Sequence, residues 1–200
     1  MKGVKFYGSL KKPEKIQNIP RDASLEYSGE LFRVYRWSQK KYSGVVKDFE
    51  KVVMNDSVKF IPVTKIGKII VAEQKQPGRK KFLGILGGRR ENNESIQSAL
   101  LRELAEETGI TPKTVKVLGI SKPFVKIDWY QYYFLIYDFE TPRVYTADEG
   151  EKIKLIYLSV EEFYQYVIDD KIDDLYIKST VLKLYLEGGM KNVRNALLKI

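Results

Sequence analysis

The chain contains no cysteine and no histidine. That excludes disulfides, thiol chemistry, zinc–thiolate sites and any imidazole ligand to a metal. No run of 18 apolar residues occurs, so no membrane-spanning helix is expected. The opening MKGVKFYGSLKKPEK has no apolar stretch of the kind a secretory signal needs. A cytoplasmic location is the resulting expectation. Internal repeats and low-complexity tracts are also missing. What remains is a chain of 200 residues with 44% apolar content and a net charge of +9. This suits one good-sized domain, or one domain with a small appendage. The positive charge is spread over clusters such as Lys11–Lys12, Lys40–Lys41, Arg79–Lys80–Lys81 and Arg89–Arg90. Such a surface attracts polyanions of any size, nucleic acid or small molecule.

The most informative stretch is GRRENNESIQSALLRELAEETGI, from Gly88 to Ile110. Asn92 or Asn93 can cap a helix start. Gly109 stands where a left-handed residue ends one, and Pro112 follows. Ile96, Leu100 and Leu104 recur every four residues and form an apolar stripe. Glu103, Glu106 and Glu107 fall on one arc of about 100° beside that stripe. Glu103 and Glu107 repel as an i,i+4 pair, and all three oppose the dipole at the helix C-terminus. Arg102 is the single basic residue within the helix. Carboxylates set against these preferences point to a divalent cation. Hard oxygen donors suit Mg²⁺ or Mn²⁺, and Mg²⁺ completes its shell with water and substrate phosphate. The expected chemistry is therefore activation of water against a phosphorylated substrate.

Gly88, Glu94, Arg102, Glu103, Glu106, Glu107 and Gly109, with aliphatic Leu104 and Ile110, match the Nudix box G-x5-E-x7-R-E-U-x-E-E-x-G-U, where U is aliphatic. Seven such matches arise by chance at about 10⁻⁸ per start position. The chain thus resembles the Nudix hydrolases. The resemblance implies an α/β/α sandwich with a mixed sheet. It implies that Arg102 and Glu94 form a brace, with Gly88 and Gly109 serving structure. It also implies that Glu103, Glu106, Glu107 and the Gly87 carbonyl hold the metal, and gives Glu103 and Arg102 places in the catalytic set.

The rest of the chain divides in two. Residues 1–57 read as a polar tail, extended or mobile over its first 23 residues, and a small β domain. Its strands are Gly29–Trp37 and Val46–Met54. Residues 58–200 read as the catalytic domain. Val58–Val63 and Lys68–Ala72 look like strands paired around Gly67. Phe82–Leu86 reads as one short strand feeding the box, and Val115–Ile120, Tyr130–Phe139 and Lys152–Leu158 as further strands. Ser159–Glu162 is a capping box opening a helix. A final helix is expected from near Asp174 to Glu187, stopped by Gly188–Gly189.

Over residues 29–188 the chain is similar to the branch of the family that cleaves ADP-ribose to AMP and ribose 5-phosphate. The likeness lies in NDSVKFIPV, in VAEQ at Val71–Gln74, in YTADEGEKIKLIYLSVEEF and in KIDDLYIKSTVLKLYLEG. It implies that Glu149, with Glu151 as nearby substitute, orients or deprotonates the attacking water. It implies substrate contacts at Gln74 and a homodimer completed by the N-terminal strands. Tyr35 and Trp37 carry rings suited to stacking on adenine or to packing a strand. Two positions depart from the branch: Gln76 replaces its arginine and Gly84 its glutamate. Arg79, with Lys80 and Lys81, can restore the positive charge. Other readings are a different nucleotide sugar, a dinucleotide or a triphosphate as substrate, or a nucleotide- or RNA-binding module without turnover. Nucleic acid is the less expected partner, since no helix-turn-helix or comparable motif is present. The isomerases of this fold need a cysteine.

Overall fold

The computed structural model describes residues 3–13, 18–140 and 152–199. Its centre is a five-stranded mixed sheet in the order β1-β9-β11-β5-β8. These strands are β1 (Lys5–Tyr7), β5 (Ser57–Pro62), β8 (Leu86–Arg89), β9 (Thr111–Ser121) and β11 (Gln131–Glu140). A three-stranded sheet, β12-β6-β7, is built from β6 (Ile69–Lys75), β7 (Phe82–Gly84) and β12 (Lys152–Leu158). The small sheet near the N-terminus runs β10-β4-β3-β2. Its members are β2 (Ser24–Ser28), β3 (Arg33–Lys40), β4 (Val46–Val53) and the short β10 (Ile127–Asp128). The helices are α1 (Ile96–Thr108), α2 (Val160–Ile168) and α3 (Leu175–Leu198).

Strand alternation explains the layers. On β11, Tyr132, Phe134 and Ile136 pack into the cluster that holds Ala99, Leu100 and Leu104 of α1. Tyr133, Leu135 and Tyr137 face the opposite cluster, with Phe163 of α2 and Ile177, Val181, Val193 and Leu197 of α3. A strand apolar on both faces belongs in the middle of a sandwich, since successive side chains point to opposite sides. The α/β/α architecture follows. No described helix is long and apolar enough to cross a membrane.

Several boundaries differ from the sequence expectation. The segment Gly29–Phe32 is a turn closed by the Gly29 N–H on the Phe32 carbonyl at 2.9 Å, and strands lie on either side of it. Part of the N-terminal tail is not loose: β1 runs parallel to β9 and extends the central sheet. β5 and β6 do not form a hairpin. They enter different sheets and meet only at the Val63–Ile69 bridge, β5 pairing instead with β11 and β8. Phe82–Leu86 is not one strand, because at Ile85 the chain leaves β6's sheet and joins β5's. Gly188 and Gly189 leave helical geometry, Gly189 with φ 62, so the regular helix stops there as expected, and a second helical stretch that the sequence did not suggest follows as far as Leu198. The capping box at Ser159 and Glu162 is present with both of its hydrogen bonds.

Candidate active site

The site grows from the junction of β8 and α1. β8 lies antiparallel to β5, with Gly87 opposite Lys59 and Gly88 opposite Val58. Gly87 has φ 139, and a Cβ there would overlap the Val58 carbonyl oxygen. At Gly88 a Cβ would overlap the Glu103 carboxylate. The two glycines thus let α1 set its carboxylates directly on the strand backbone. Ser95, not Asn92 or Asn93, caps α1. Its hydroxyl accepts the Ser98 N–H at 3.0 Å, while Asn93 takes a left-handed turn conformation with φ 63. At the other end Gly109 has φ 64 and its N–H returns to the Ala105 carbonyl at 2.9 Å.

Arg102 uses all five of its N–H donors. Nε and Nη2 grip Glu94 through both carboxylate oxygens, each at 3.1 Å. Nη1 reaches Glu103 Oε1 at 2.9 Å and Glu106 Oε2 at 2.8 Å. Nη2 also donates to the Arg89 carbonyl at 2.9 Å. Only a guanidinium offers this fork. The hydrogen bond from Arg102 holds the Glu94 carboxyl below the ordinary carboxylate range, and raises Arg102 in turn. Burial pushes the Glu103 carboxyl up, and Arg102 offsets only part of that. Glu103 and Glu107 are each just 9% exposed. Glu107 Oε2 accepts the Gly87 N–H at 2.6 Å. The side chain of Glu106 is the most exposed of the three.

Among the described residues, no three acidic groups converge closely enough to be read as a preassembled metal cluster. Glu103 and Glu106 meet at Arg102, and Glu107 turns to Gly87. The donor chemistry nonetheless fits a hard divalent cation. Three carboxylates stand on one face of a rigid helix against a glycine backbone, with no softer ligand type in the chain.

The other sequence candidates are more dispersed. Gln74 is buried on β6, opposite Ile153 and Phe82. Arg79 lies exposed in the β6–β7 turn, its guanidinium 4.4 Å from the Phe82 ring centroid. Trp37 is buried in the small sheet against Phe49, ring centroids 6.2 Å apart, and its Nε1–H donates to Gln39. Tyr35 is half-buried on the same strand, opposite Lys51. Glu149 and Glu151 lie outside the described residues. The small sheet is tied to the box by Arg33 to Asn55, by Asn55 to Asn92 at 3.2 Å, and by the Arg89–Glu30 ion pair at 3.6 Å.

Two supporting residues are not evident from the sequence reading. Arg90 donates to the Glu94 carbonyl at 2.8 Å, and buried Asp56 accepts the Tyr130 N–H while pairing with Lys12 at 2.6 Å. The basic pair Arg89–Arg90 is the available signal for the first. Nothing local signals the second, whose partners are far away in the chain.

The NUDIX domain family matches residues 55–177. The match spans more than half the chain and contains the whole box. The chain belongs to the Nudix family and is a Nudix hydrolase by class. The methanol dehydrogenase activator of Bacillus methanolicus is 26% identical over 169 residues, covering 83% of this chain and 91% of that protein. A solved structure described as an ADP compounds hydrolase superposes with a TM-score of 0.65 at 17% identity, over 90% of this chain and 97% of the other. That second likeness is one of fold.

Proposed function

We propose that this Nudix hydrolase cleaves ADP-ribose to AMP and ribose 5-phosphate with Mg²⁺, Mn²⁺ being the substitute. The observation that carries the reading is the seating of Glu103 and Glu107 on the Gly87–Gly88 backbone, with Glu106 open to solvent beside them. Support for the adenine-linked substrate comes from the sequence likeness to the ADP-ribose branch and from the fold shared with a hydrolase of ADP compounds.

Glu103, Glu106 and Glu107, with the Gly87 carbonyl, would hold the cation. Bound there, it would offset diphosphate charge and acidify water. Arg102 keeps Glu103 and Glu106 aligned while bracing the helix to Glu94. Glu149, or Glu151 in its place, takes the proton of the attacking water. The water oxygen bonds to one phosphorus, the bridging P–O bond breaks, and the departing phosphate leaves with that electron pair. Gln74 and Arg79 contact the substrate and half-buried Tyr35 recognises the base, while Trp37, buried against Phe49, packs the small sheet. Residues 1–57 form the recognition and dimerisation unit, and 58–200 the catalytic domain of a cytoplasmic homodimer.

The test is a panel of nucleotide sugars, dinucleotides and triphosphates, assayed for products with Mg²⁺, Mn²⁺ and Co²⁺. ADP-ribose should give AMP and ribose 5-phosphate at the highest kcat/KM. Faster turnover of a triphosphate or a dinucleotide would replace the substrate. Silence across the panel would favour a binding module. Glu149→Gln should lower kcat more than it raises KM, and an equal loss from Glu151→Gln alone moves the role to that neighbour.

A further inference from the structure

One strand edge of the small sheet is open and bordered by lysine. β4 is paired along one side with β3 over its full length, from Arg33–Val53 to Lys40–Val46. On its other side, β10 pairs only with Val52 and Val53. Among the described residues, no strand covers the outer edge from Val46 to Lys51. The Val52 N–H points outward, donating to the Lys126 carbonyl at 3.1 Å. With the two-residue period of an antiparallel ladder, the N–H groups of Asp48 and Glu50 point the same way. Beside this edge runs a groove of about 710 Å³ lined by Lys41, Lys47, Lys51 and Lys126 together with Asp48 and Glu50; Lys51 is buried, whereas Lys41, Lys47 and Lys126 are exposed.

The faces of β4 differ in charge. Lys47, Phe49 and Lys51 share one face, and Lys126 reaches over the Phe49 ring with its Nζ 5.0 Å from the centroid. Asp48 and Glu50 lie on the other, where Asp48 is already held by Arg36 and Ser38. A second copy of β4 fits this edge badly. A twofold axis centred on Phe49 sets Lys47 against Lys51 and Asp48 against Glu50. Centred on Lys47, Asp48 or Glu50, it places a charged residue opposite itself. Like charges directly opposite each other destabilise a ladder, and such arrangements are how edges avoid self-pairing.

We propose that the outer edge of β4 accepts an extended acidic peptide segment of a partner protein, which adds as a strand with its carboxylates beside the exposed Lys47 and Lys126. Main-chain hydrogen bonds to Asp48 and Glu50 supply the attachment, and the lysines select the sign of the ligand.

The probe is a fluorescein-labelled heptapeptide alternating glutamate with valine, followed by anisotropy with the full chain. A lysine–valine heptapeptide and a ten-nucleotide oligouridylate are the comparators. Glu50→Pro deletes an outward N–H without touching the β3 ladder and should weaken glutamate-peptide binding by about tenfold. Glu50→Gln keeps that N–H and should bind like the unaltered protein. The charge-reversed pair Lys47→Glu with Lys126→Glu should weaken binding by at least about tenfold, in a salt-dependent manner. Circular dichroism establishes that each variant is folded. No glutamate-peptide binding, or equal binding of the lysine peptide, overturns the proposal. Loss on charge reversal with no loss in Glu50→Pro, together with displacement by oligouridylate, identifies a polyanion surface and also overturns it. Sedimentation showing a dimer that Glu50→Pro dissociates assigns the edge to a second copy and overturns it as well.

Discussion

The box helix and the small sheet handle polar groups in opposite ways. Around α1 the charged groups are paired many times over: Arg102 spends five donors, and Glu94 also accepts the Glu91 N–H at 3.0 Å. The apolar face beneath is sealed, with Ala99, Leu100 and Leu104 fully buried. The small sheet instead leaves Leu25, Tyr27, Tyr42, Val45 and Val46 in solvent. One region fixes the position of its carboxylates through hydrogen bonds. The other leaves apolar side chains exposed. Dense polar pairing is confined to the box, and the exposed apolar surface lies in the small sheet.

The largest effect should come from the carboxylates. Glu106→Gln and Glu107→Gln should each lower turnover by about 10²-fold or more at saturating Mg²⁺, with unchanged far-ultraviolet circular dichroism. Near-normal rates from either would remove it from the ligand set.

Arg102→Ala should destabilise the protein by about 2 kcal/mol in urea unfolding, since it strands Glu94 and Glu103. The cost stays below that of a wholly buried pair because the Arg102 side chain is 25% exposed. Its pH dependence has a definite sign. Glu94 is held below the ordinary range, so its stabilisation is complete above about pH 4 and is lost as pH falls through the lowered folded value. The gap between Arg102→Ala and the unaltered protein should therefore shrink in acid, and a constant gap would mean that packing, not charge, dominates.

Glu103 should behave in the reverse sense. Its folded pKa is raised by burial, so the charged form costs stability at neutral pH and the cost fades as pH falls through the raised value. In chelator at pH 7, Glu103→Gln should melt about 3 °C higher while losing activity. Scanning calorimetry showing a lower melting temperature would mean that the Arg102 contact outweighs burial.

The smallest effect belongs to the small sheet. Trp37→Ala should speed amide exchange in β2, β3 and β4 by about tenfold while leaving β5 and β11 protected. Uniform loss of protection would show that the two regions open together.

The contrast also explains what can be read without coordinates. The box is legible because a helix binds spacing to geometry: residues three and four apart must share a face. The layered fold is legible from Tyr132 to Tyr137, which are apolar on both sides and so belong in a central strand. Strand partners are not. β5 and β6 are neighbours in sequence with a turn at Gly67 between them, yet their ladders go elsewhere, because burial on both faces outweighs the short connection. Ser95 is masked as a cap because Asn92 and Asn93 precede it and have the same propensity, and only the left-handed Asn93 shows where the turn ends. β1, three residues long, has too short a pattern to register. The open edge of β4 is an absence of a strand partner among the described residues, which residue order does not encode.

The crossing at Ile85 has a mechanical consequence. Because β7 belongs to one sheet and β8 to the other, the ribbon that carries Gly87 is stitched to both. Any shear between the sheets must tug the loop beneath the carboxylates. Breathing of the sandwich and trembling of the box carboxylates should therefore keep one clock, and nuclear relaxation at Leu83 and Gly88 would report the same rate.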